Sequence, residues 1–306
     1  MKQYEHLFLG LCLQLPIILN FKMMKKNFLS IFILSLLISM RSCQDVVNVD
    51  LKTGKERLVI EALIQWEKNT QGNEQTIKLR KTTSFYDNQV VPAIQANISI
   101  QNLNTLTDVN FTETEDGIYQ TSNFEPIFND TYQLTVIYNN EIYQATSKLL
   151  QAPEVLSVYQ STEEGFSLID PEVNIIFQDF ENQTDYYRAT FNYYKPTDST
   201  LNNFDLKDTF DFIFSDQFQE NNPISFFYEN EDIQPNDLVE ITLYAISKRY
   251  FNYLEKLQEQ ADAGFGPFSL PPINVKGNII NMSNNENYPY GYFSLNEVDK
   301  TSYVFQ

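Results

Sequence analysis

Histidine and cysteine are nearly missing from this chain of 306 residues. His6 is its single histidine, and Cys12 and Cys43 are its two cysteines. A Ser-His-Asp triad, a Cys-His pair and a histidine-ligated metal site each need one of these side chains. A chain that loses its first 42 residues keeps Cys43 alone. The sequence therefore excludes such sites and an internal disulfide, and it predicts no catalytic, cofactor-binding or metal-ligating residue.

Positive charge is also scarce. The chain has 21 Lys and Arg against 40 Asp and Glu, a formal net charge of −19. Five bases and one acid lie in the first 42 residues, which leaves 16 bases, 39 acids and a net charge of −23 in the remaining 264 residues. Because such a surface repels nucleic-acid phosphates and anionic headgroups, we expect no nucleic-acid partner and a membrane contact that depends on a lipid.

The apolar run 28–40 (FLSIFILSLLISM) carries no charge and ends close to a cysteine. Lys25 and Lys26 precede the run, and Ser42 puts a small residue before Cys43. A positive start, an apolar run of about 7–15 residues and a small residue at the cut are typical of a secretory signal. We therefore expect cleavage before Cys43 and lipidation of its thiol, with acyl chains that anchor the protein in a membrane.

Two features of this signal leave alternatives open. Arg41 departs from the usual lipobox, so the alternative to lipidation is a plain secretory signal that leaves Cys43 as a free thiol. A second apolar stretch, 7–21, is shorter than the roughly 20 residues of a membrane-spanning helix. We interpret 1–23 as a mis-assigned start, with the true initiator at one of the two methionines before Lys25; the alternative is an unusual second membrane segment.

Apolar residues alternate with polar ones along 56–152. The first such segment places on one face Leu58, Ile60, Ala62, Ile64 and Trp66. About seven short strands with turns between them predict an immunoglobulin-like or transthyretin-like sandwich, because two sheets must stack to hide one apolar face each. Before this domain, we assign 1–42 to the leader and 43–55 to a polar tether.

Gln151-Ala-Pro153 marks a boundary, and 153–306 is predicted to form a second β-rich domain. Its strands carry many aromatic residues, which we expect to fill a core rather than to form a platform for sugars or peptides. One amphipathic helix is predicted near 248–262, with Ser247 as its N-cap and Gly264 after its end. We expect this helix to pack across the open end of a sheet; the alternative is a partner-binding helix.

Carboxylate chemistry is what the composition leaves available. The segment 179–185 (DFENQTD) is the most calcium-like string, but it lacks the glycine and the distal glutamate of an EF-hand loop. We therefore expect a solvated turn there and no metal site. A glycosidase-like acid pair in a cleft lined with aromatic residues is the enzymatic alternative.

Four stretches of the chain resemble an uncharacterised family of Bacteroidetes outer-membrane lipoproteins, catalogued as domain of unknown function 4249. They are 45–51 (DVVNVDL), 57–62 (RLVIEA), 267–281 (PFSLPPINVKGNIIN) and 291–293 (GYF). The resemblance runs from about Cys43 to the end. It implies an outer-membrane location and a gene often found near those of TonB-dependent receptors, and it brings no established activity or catalytic residue.

Together these patterns predict a lipid-anchored, non-enzymatic protein of the cell envelope. We expect it to be an accessory binding protein for nutrient uptake across the outer membrane with a TonB-dependent receptor. Whether it faces the periplasm or the cell surface is left open, as is its ligand. The alternatives are a surface adhesin or structural β-module, and a carboxylate-only glycan hydrolase.

Overall fold

The computed structural model describes residues 54–84, 89–163, 165–167, 169–180, 185–198, 200–217, 223–262 and 274–306. The predicted leader, Cys43 and all but the last two residues of the predicted tether lie outside the described residues. Within these ranges, no helix is both long enough and apolar enough to cross a membrane.

The described chain is mostly β, as predicted, with sixteen strands and one helix. In chain order they are β1 Leu58–Glu67, β2 Gln75–Lys81, β3 Val91–Pro92, β4 Asn97–Asn102, β5 Thr107–Glu115, β6 Ile118–Thr121, β7 Thr131–Tyr138, β8 Glu141–Leu150, β9 Glu154–Ser161, β10 Glu172–Gln178, β11 Tyr186–Pro196, β12 Phe204–Ser215, β13 Ile224–Glu229, β14 Leu238–Ala245, α1 Lys248–Asp262, β15 Ile280–Asn281 and β16 Tyr290–Val304.

Eight strands close into a barrel in the order β16-β1-β2-β6-β5-β4-β7-β8, with β8 pairing again with β16. The strand β16 runs parallel to both of its neighbours in the barrel, β1 and β8. The apolar face predicted for β1 lines the interior of the barrel, where Ile60, Ala62 and Ile64 are fully buried. The β-rich character predicted for 56–152 is confirmed, but the immunoglobulin-like or transthyretin-like sandwich is replaced by a closed barrel, because a strand from the C-terminal part of the chain inserts between β1 and β8.

The barrel has two ends, which we name by the direction of β1. Because β1, β8 and β16 are parallel, their first residues lie at one end, here called the proximal end, together with the β7–β8 turn at Asn139 and Asn140. The last residues of β1 and β6 and the start of β2 lie at the opposite, distal end. The chain enters the barrel at the proximal end.

Two stacked sheets form the second half of the structure. Strands β12, β11 and β14 and the last part of β16 make one sheet, and β13, β10 and β9 make the other. Apolar side chains of both sheets share one core, in which Phe177, Tyr187 and Phe191 are fully buried. The expectation that alternating aromatic residues fill a core is confirmed for these strands. On the edge strand β12, by contrast, Phe210 and Phe212 are partly exposed.

One strand belongs to both halves of the structure. The first nine residues of β16 pair with β1, and those from Val298 onward pair with β14. At the junction, the Asn296 amide donates to the carbonyl of Ala245 (2.6 Å), and the Glu297 carboxylate accepts from the backbone N–H of Ala152 (3.0 Å). Burial raises the pKa of Glu297 despite that hydrogen bond.

Helix α1 packs on the sheet formed by β12, β11, β14 and β16, close to the point where β16 joins the barrel. The Ser247 hydroxyl accepts from the N–H of Tyr250 (3.1 Å), which is the predicted N-cap. Tyr250 packs at 4.5 Å, between ring centroids, against Tyr292 of β16. Beside it, Arg188 of β11 binds both carboxylate oxygens of Asp211 at 2.7 Å. The predicted helix is confirmed, and its apolar face packs on the sheet; Gly264 lies outside the described residues.

A carboxylate surrounded by donors fixes the proximal end. Glu141 accepts from the hydroxyl of Tyr143 (2.7 Å) and from the amides of Asn287 (2.5 Å), Asn281 (3.0 Å) and Asn284 (3.3 Å). Burial alone would raise the pKa of Glu141, but these hydrogen bonds outweigh it and lower the pKa. Glu141 therefore ties the 281–287 loop to β8.

We expect Glu141→Gln to lower the free energy of unfolding by about 1 kcal/mol at pH 7, because charge-assisted hydrogen bonds are lost on a partly exposed carboxylate. Since the folded-state pKa lies below the unfolded value, this stability is present above the ordinary pKa of 4.5 and is lost as the pH falls through the folded value. Urea unfolding at pH 7 and at a series of pH values below 4.5 checks this. A difference between variant and wild type that does not shrink as the pH falls would contradict the assignment.

Candidate functional site

A groove lies on the outer wall of the barrel, at the distal end. Its floor is a row across three strands, in which Thr76 of β2 lies opposite Gln120 of β6, and Gln120 lies opposite Thr112 of β5. The groove has a volume of about 660 Å³. Its lining residues are Glu74, Gln75, Thr76, Asn110, Thr112, Thr114, Gln120, Thr121, Ser122 and Asn123.

A second depression of about 460 Å³ continues the first, because Ser122 and Asn123 line both. Its wall includes Trp66, the single tryptophan of the chain. Trp66 stacks on Phe128 with 4.6 Å between ring centroids, and its Nε1–H donates to the carbonyl of Thr70 (2.9 Å). We call the two depressions together the distal groove.

A glycine and a loop contact fix this aromatic wall. Gly72 has a φ of +66°, and a Cβ there would lie 2.5 Å from Cδ1 of Trp66. The Asn73 amide donates to the carbonyl of Ser122 (3.0 Å), so the loop after β1 and the loop after β6 hold each other. These contacts therefore hold the indole ring in a fixed position relative to the amide-lined floor.

The chemistry of the distal groove suits a neutral ligand rich in hydroxyl groups. Threonine and serine hydroxyls and asparagine and glutamine amides both donate and accept hydrogen bonds, as sugar hydroxyls do. Glu74 and Glu125 are the only charged residues among those lining the two depressions. An anionic ligand would meet these carboxylates without a compensating base.

We expect Gly72→Ala to displace Trp66, because the added methyl meets the indole and an L-residue is strained at this φ. The fluorescence emission of the single tryptophan should shift to longer wavelength, and stability should fall by about 1–2 kcal/mol. Gly54→Ala is the matched control, since nothing lies within 4 Å of its added Cβ. Unchanged emission from Gly72→Ala would show that Gly72 does not hold the ring.

The structure brings a third aspartate to the calcium-like string. One oxygen from each of Asp179, Asp185 and Asp216 lies within 4.8 Å of the others, and Asp216 comes from the end of β12. Asp179 accepts from the hydroxyl of Tyr187 (2.6 Å), and Asp216 accepts from the backbone N–H of Asp185 (2.8 Å). One oxygen from each carboxylate would supply only three of the roughly six to eight ligands that Ca²⁺ takes. Residues 181–184 of this segment lie outside the described residues.

An acid pair lies in the smaller sheet, where Glu172 of β10 is directly opposite Glu229 of β13. Glu229 accepts from the backbone N–H groups of Phe166 (2.6 Å) and Ser167 (2.9 Å), and Asn174 donates to Glu172 (3.2 Å). Glu172 is fully buried. The pair thus holds the 165–167 loop over the sheet and does not line either depression of the distal groove.

Gly277, Asn278 and Gly291, in the C-terminal stretches that resemble the family, contact the backbone of neighbouring segments. Asn278 donates to the carbonyl of Phe293 (2.7 Å) and accepts from its N–H (2.9 Å), so its side chain replaces a strand partner of β16. Gly291 has a φ of +95° and lies against the carbonyl of Ile60, and Gly277 lies against the carbonyl of Gly291. These residues close the barrel.

Sequence reasoning named Cys43 as its one site residue, and Cys43 lies outside the described residues. It missed the distal groove, although Trp66 was placed correctly on β1. A partial signal exists in β5, where Asn110, Thr112 and Thr114 alternate as neutral hydrogen-bonding residues on the outer face. The pairing of β5 with β6 and β2 was needed to gather them into one surface.

Solved structures similar to this chain show weak likeness. A DUF4785 family protein from Legionella pneumophila is 9% identical, with 63% of this chain and 53% of that chain covered and a TM-score of 0.26. The chicken CNTN1 FN1–FN3 domains are 15% identical, with 62% and 60% covered and a TM-score of 0.22. The native E. coli alpha-2-macroglobulin is 8% identical, with 63% and 13% covered and a TM-score of 0.23.

The sequence model of one family matches far more clearly. A comparison with curated proteins finds no match. The family described as Domain of unknown function (DUF4249) matches residues 44–302, well over half of the chain. This range includes the barrel, the stacked sheets and the distal groove. The chain therefore belongs to the DUF4249 family.

Proposed function

We propose that this protein is a lipid-anchored, non-enzymatic binding protein of the cell envelope that takes a neutral, hydroxyl-rich ligand, such as an oligosaccharide, in the distal groove. The observation that carries the proposal is the continuity of a hydroxyl- and amide-lined floor with the indole of Trp66. Hydroxyl and amide groups match sugar hydroxyls, and an aromatic ring accepts the apolar face of a sugar ring.

The position of the groove agrees with an anchored protein. Cys43 precedes β1, and β1 begins at the proximal end, whereas the groove lies at the distal end. The tether of an anchored protein would therefore join the barrel at the end opposite to the groove. The barrel wall that carries the groove is held by continuous strand pairing, so little ordering of the backbone is needed on binding.

A role in nutrient uptake extends the proposal. Its support is the export signal before Cys43 and the resemblance of the C-terminal stretch to outer-membrane lipoproteins associated with TonB-dependent receptors. In this role the protein holds a ligand at the outer membrane and passes it to the receptor. Loops on a rigid β-scaffold are well suited to both recognition steps.

Ligand binding can be followed through Trp66, because no other tryptophan contributes to the emission. We expect neutral oligosaccharides to change the emission in a saturable way, and acidic ones to have little effect. Gln120→Ala should weaken binding about tenfold by removing a floor amide, in line with a lost hydrogen bond of roughly 1–1.5 kcal/mol. If a panel of neutral oligosaccharides leaves the emission unchanged, the proposed ligand class is wrong.

Gln144→Ala is the matched control for Gln120→Ala. Each glutamine donates to a threonine hydroxyl on the outer wall, Gln120 to Thr76 (3.4 Å) and Gln144 to Thr135 (3.2 Å). The second pair lies on β7 and β8 and lines neither depression. Gln144→Ala should therefore leave the affinity unchanged, and an equal loss in both variants would show that the effect is general.

The anchor and the receptor are tested by a pull-down of the full-length protein from native outer membranes in detergent, with mass spectrometry of the captured proteins. We expect a TonB-dependent barrel with the wild type and loss of membrane association in Cys43→Ala. A wild-type protein that is captured alone would contradict the uptake role. A Cys43→Ala protein that stays in the membrane would contradict lipidation.

The second candidate, a surface adhesin or structural module, is favoured by the edge strand β12. Among the described strands it pairs only with β11, and Leu206, Phe210 and Phe212 on it are partly exposed. Such an edge can add a strand from another chain. Sedimentation of the protein at increasing concentration tests this role, and Phe210→Lys should abolish any self-association. A monomer at all concentrations would argue against edge pairing between copies.

A further inference from the structure

The outer wall at the proximal end carries an apolar row. Ile137 of β7 lies opposite Ile142 of β8, and the backbone N–H of Met282 donates to the carbonyl of Ile142 (2.7 Å), which extends the row to the strand β15 side. Ile280 lies two positions further along, opposite Gln144. The four apolar side chains are between 39% and 61% exposed. We call them the proximal patch.

Tyrosines and bases lie at the same end. Tyr288 is contacted by two cations, the guanidinium of Arg57 and the ammonium of Lys276, each 3.6 Å from the ring centroid. Tyr290 meets Tyr288 edge to face at 5.7 Å. Tyrosine with lysine and arginine next to aliphatic side chains is the composition that proteins place at the boundary between lipid headgroups and hydrocarbon.

The chain between Cys43 and Gly54 limits how far the proximal end can lie from a lipid on Cys43. Eleven residue steps separate Cys43 from Gly54, so the tether spans at most about 40 Å when fully extended. The distal end is farther away by the length of β1, ten residues or roughly 33 Å. The proximal end can therefore lie no farther than about 40 Å from a lipid on Cys43, whereas the distal end can lie roughly 70 Å away.

We infer that the proximal patch rests on the headgroup surface of the membrane that holds the lipid anchor. This inference depends on the proposed lipidation of Cys43. The anchor supplies attachment, and the patch with Tyr288, Arg57 and Lys276 supplies orientation. The distal groove is then presented away from the bilayer, toward ligand and partner.

The test uses the full-length lipoprotein, reconstituted into phosphatidylcholine vesicles that contain spin-labelled phosphatidylcholine as a quencher. Because lipidated Cys43 cannot react, a cysteine introduced at Met282 or at Thr112 is the single site for a fluorescent label. We expect the label of Met282→Cys to be quenched about threefold more than the label of Thr112→Cys, which lies in the distal groove.

A second pair of variants tests the patch itself. Ile142→Thr with Ile280→Thr should lower the quenching at position 282 to the level found at 112, since both changes keep a β-branched residue in the strand. Ile127→Thr is the matched control, because Ile127 is equally exposed (43%) outside the patch. It should leave the quenching unchanged.

Vesicle flotation separates the anchor from the orientation. Protein that floats with the vesicles but shows equal quenching at 282 and 112 would overturn the inference and leave the anchor intact. Protein that fails to float would overturn the proposed lipidation and the inference with it. Quenching at 282 that is lost when outer-membrane proteins are added would assign the patch to a protein partner instead of lipid.

Discussion

Replacing Gly291 with alanine is expected to prevent stable closure of the barrel. The Cβ of an alanine would collide with the carbonyl of Ile60, the residue paired with Gly291 between β16 and β1. A φ of +95° is also strained for any residue with a side chain. Since the pairing partner is backbone and cannot rotate away, we expect a loss of more than about 4 kcal/mol.

Thermal unfolding followed by circular dichroism measures this loss, which corresponds to a decrease in Tm of at least about 10 °C for a chain of this size. Gly54→Ala serves again as the control, because its added methyl meets nothing within 4 Å. If Gly291→Ala retains the Tm of the wild type, β16 does not pair with β1 as described. Recovery of soluble protein at low temperature would separate instability from a failure to fold.

The individual elements were predictable from local pattern. The alternation in β1 named its buried face correctly, since Ile60 and Ile64 are fully buried, and the spacing around Tyr250 named the helix. Both signals depend on residues within a few positions of each other. Short-range periodicity therefore predicted whether these elements are strands or helices and which side they bury.

The closure of the barrel was not predictable in the same way. Strand β16 pairs in parallel with β1, which lies more than two hundred residues earlier in the chain, and no local pattern records such a partner. Its buried polar residues, Asn296 and Glu297, also break the alternation that would have drawn attention to it as a core strand. Pairing between neighbouring segments alone produces an open sheet, so the closed barrel does not follow from it.

The distal groove was hidden for a related reason. Thr76, Thr112 and Gln120 each look like an ordinary solvent-facing residue on an antiparallel strand. Their common role arises from register, which places them in one row across β2, β6 and β5. Asp216 joined Asp179 and Asp185 in the same way, through the antiparallel pairing of β11 with β12. Sites built across strands follow topology more than they follow sequence.

Replacing Asn278 with leucine is expected to cost about 4 kcal/mol. Asn278 is buried, and its amide satisfies both the N–H and the carbonyl of Phe293 in a stretch of β16 that no neighbouring strand covers on that side. Leucine has the same number of side-chain heavy atoms and the same branching, but it can form neither bond. Two buried backbone groups would then lose their partners, at roughly 1–3 kcal/mol each.

Asn274→Leu is the matched control in the same segment, because Asn274 is exposed and, within the described part of the chain, its side chain accepts one hydrogen bond, from the hydroxyl of Tyr290 (3.0 Å). Urea unfolding of both variants should give a small change for Asn274→Leu and a much lower midpoint for Asn278→Leu, with m-values like that of the wild type. A ligand-contact role for Asn278 would give the opposite result, unchanged stability with lost binding. Because its two hydrogen bonds reach only the backbone of β16, we expect stability to fall first and binding at the distal groove to change only as the barrel opens.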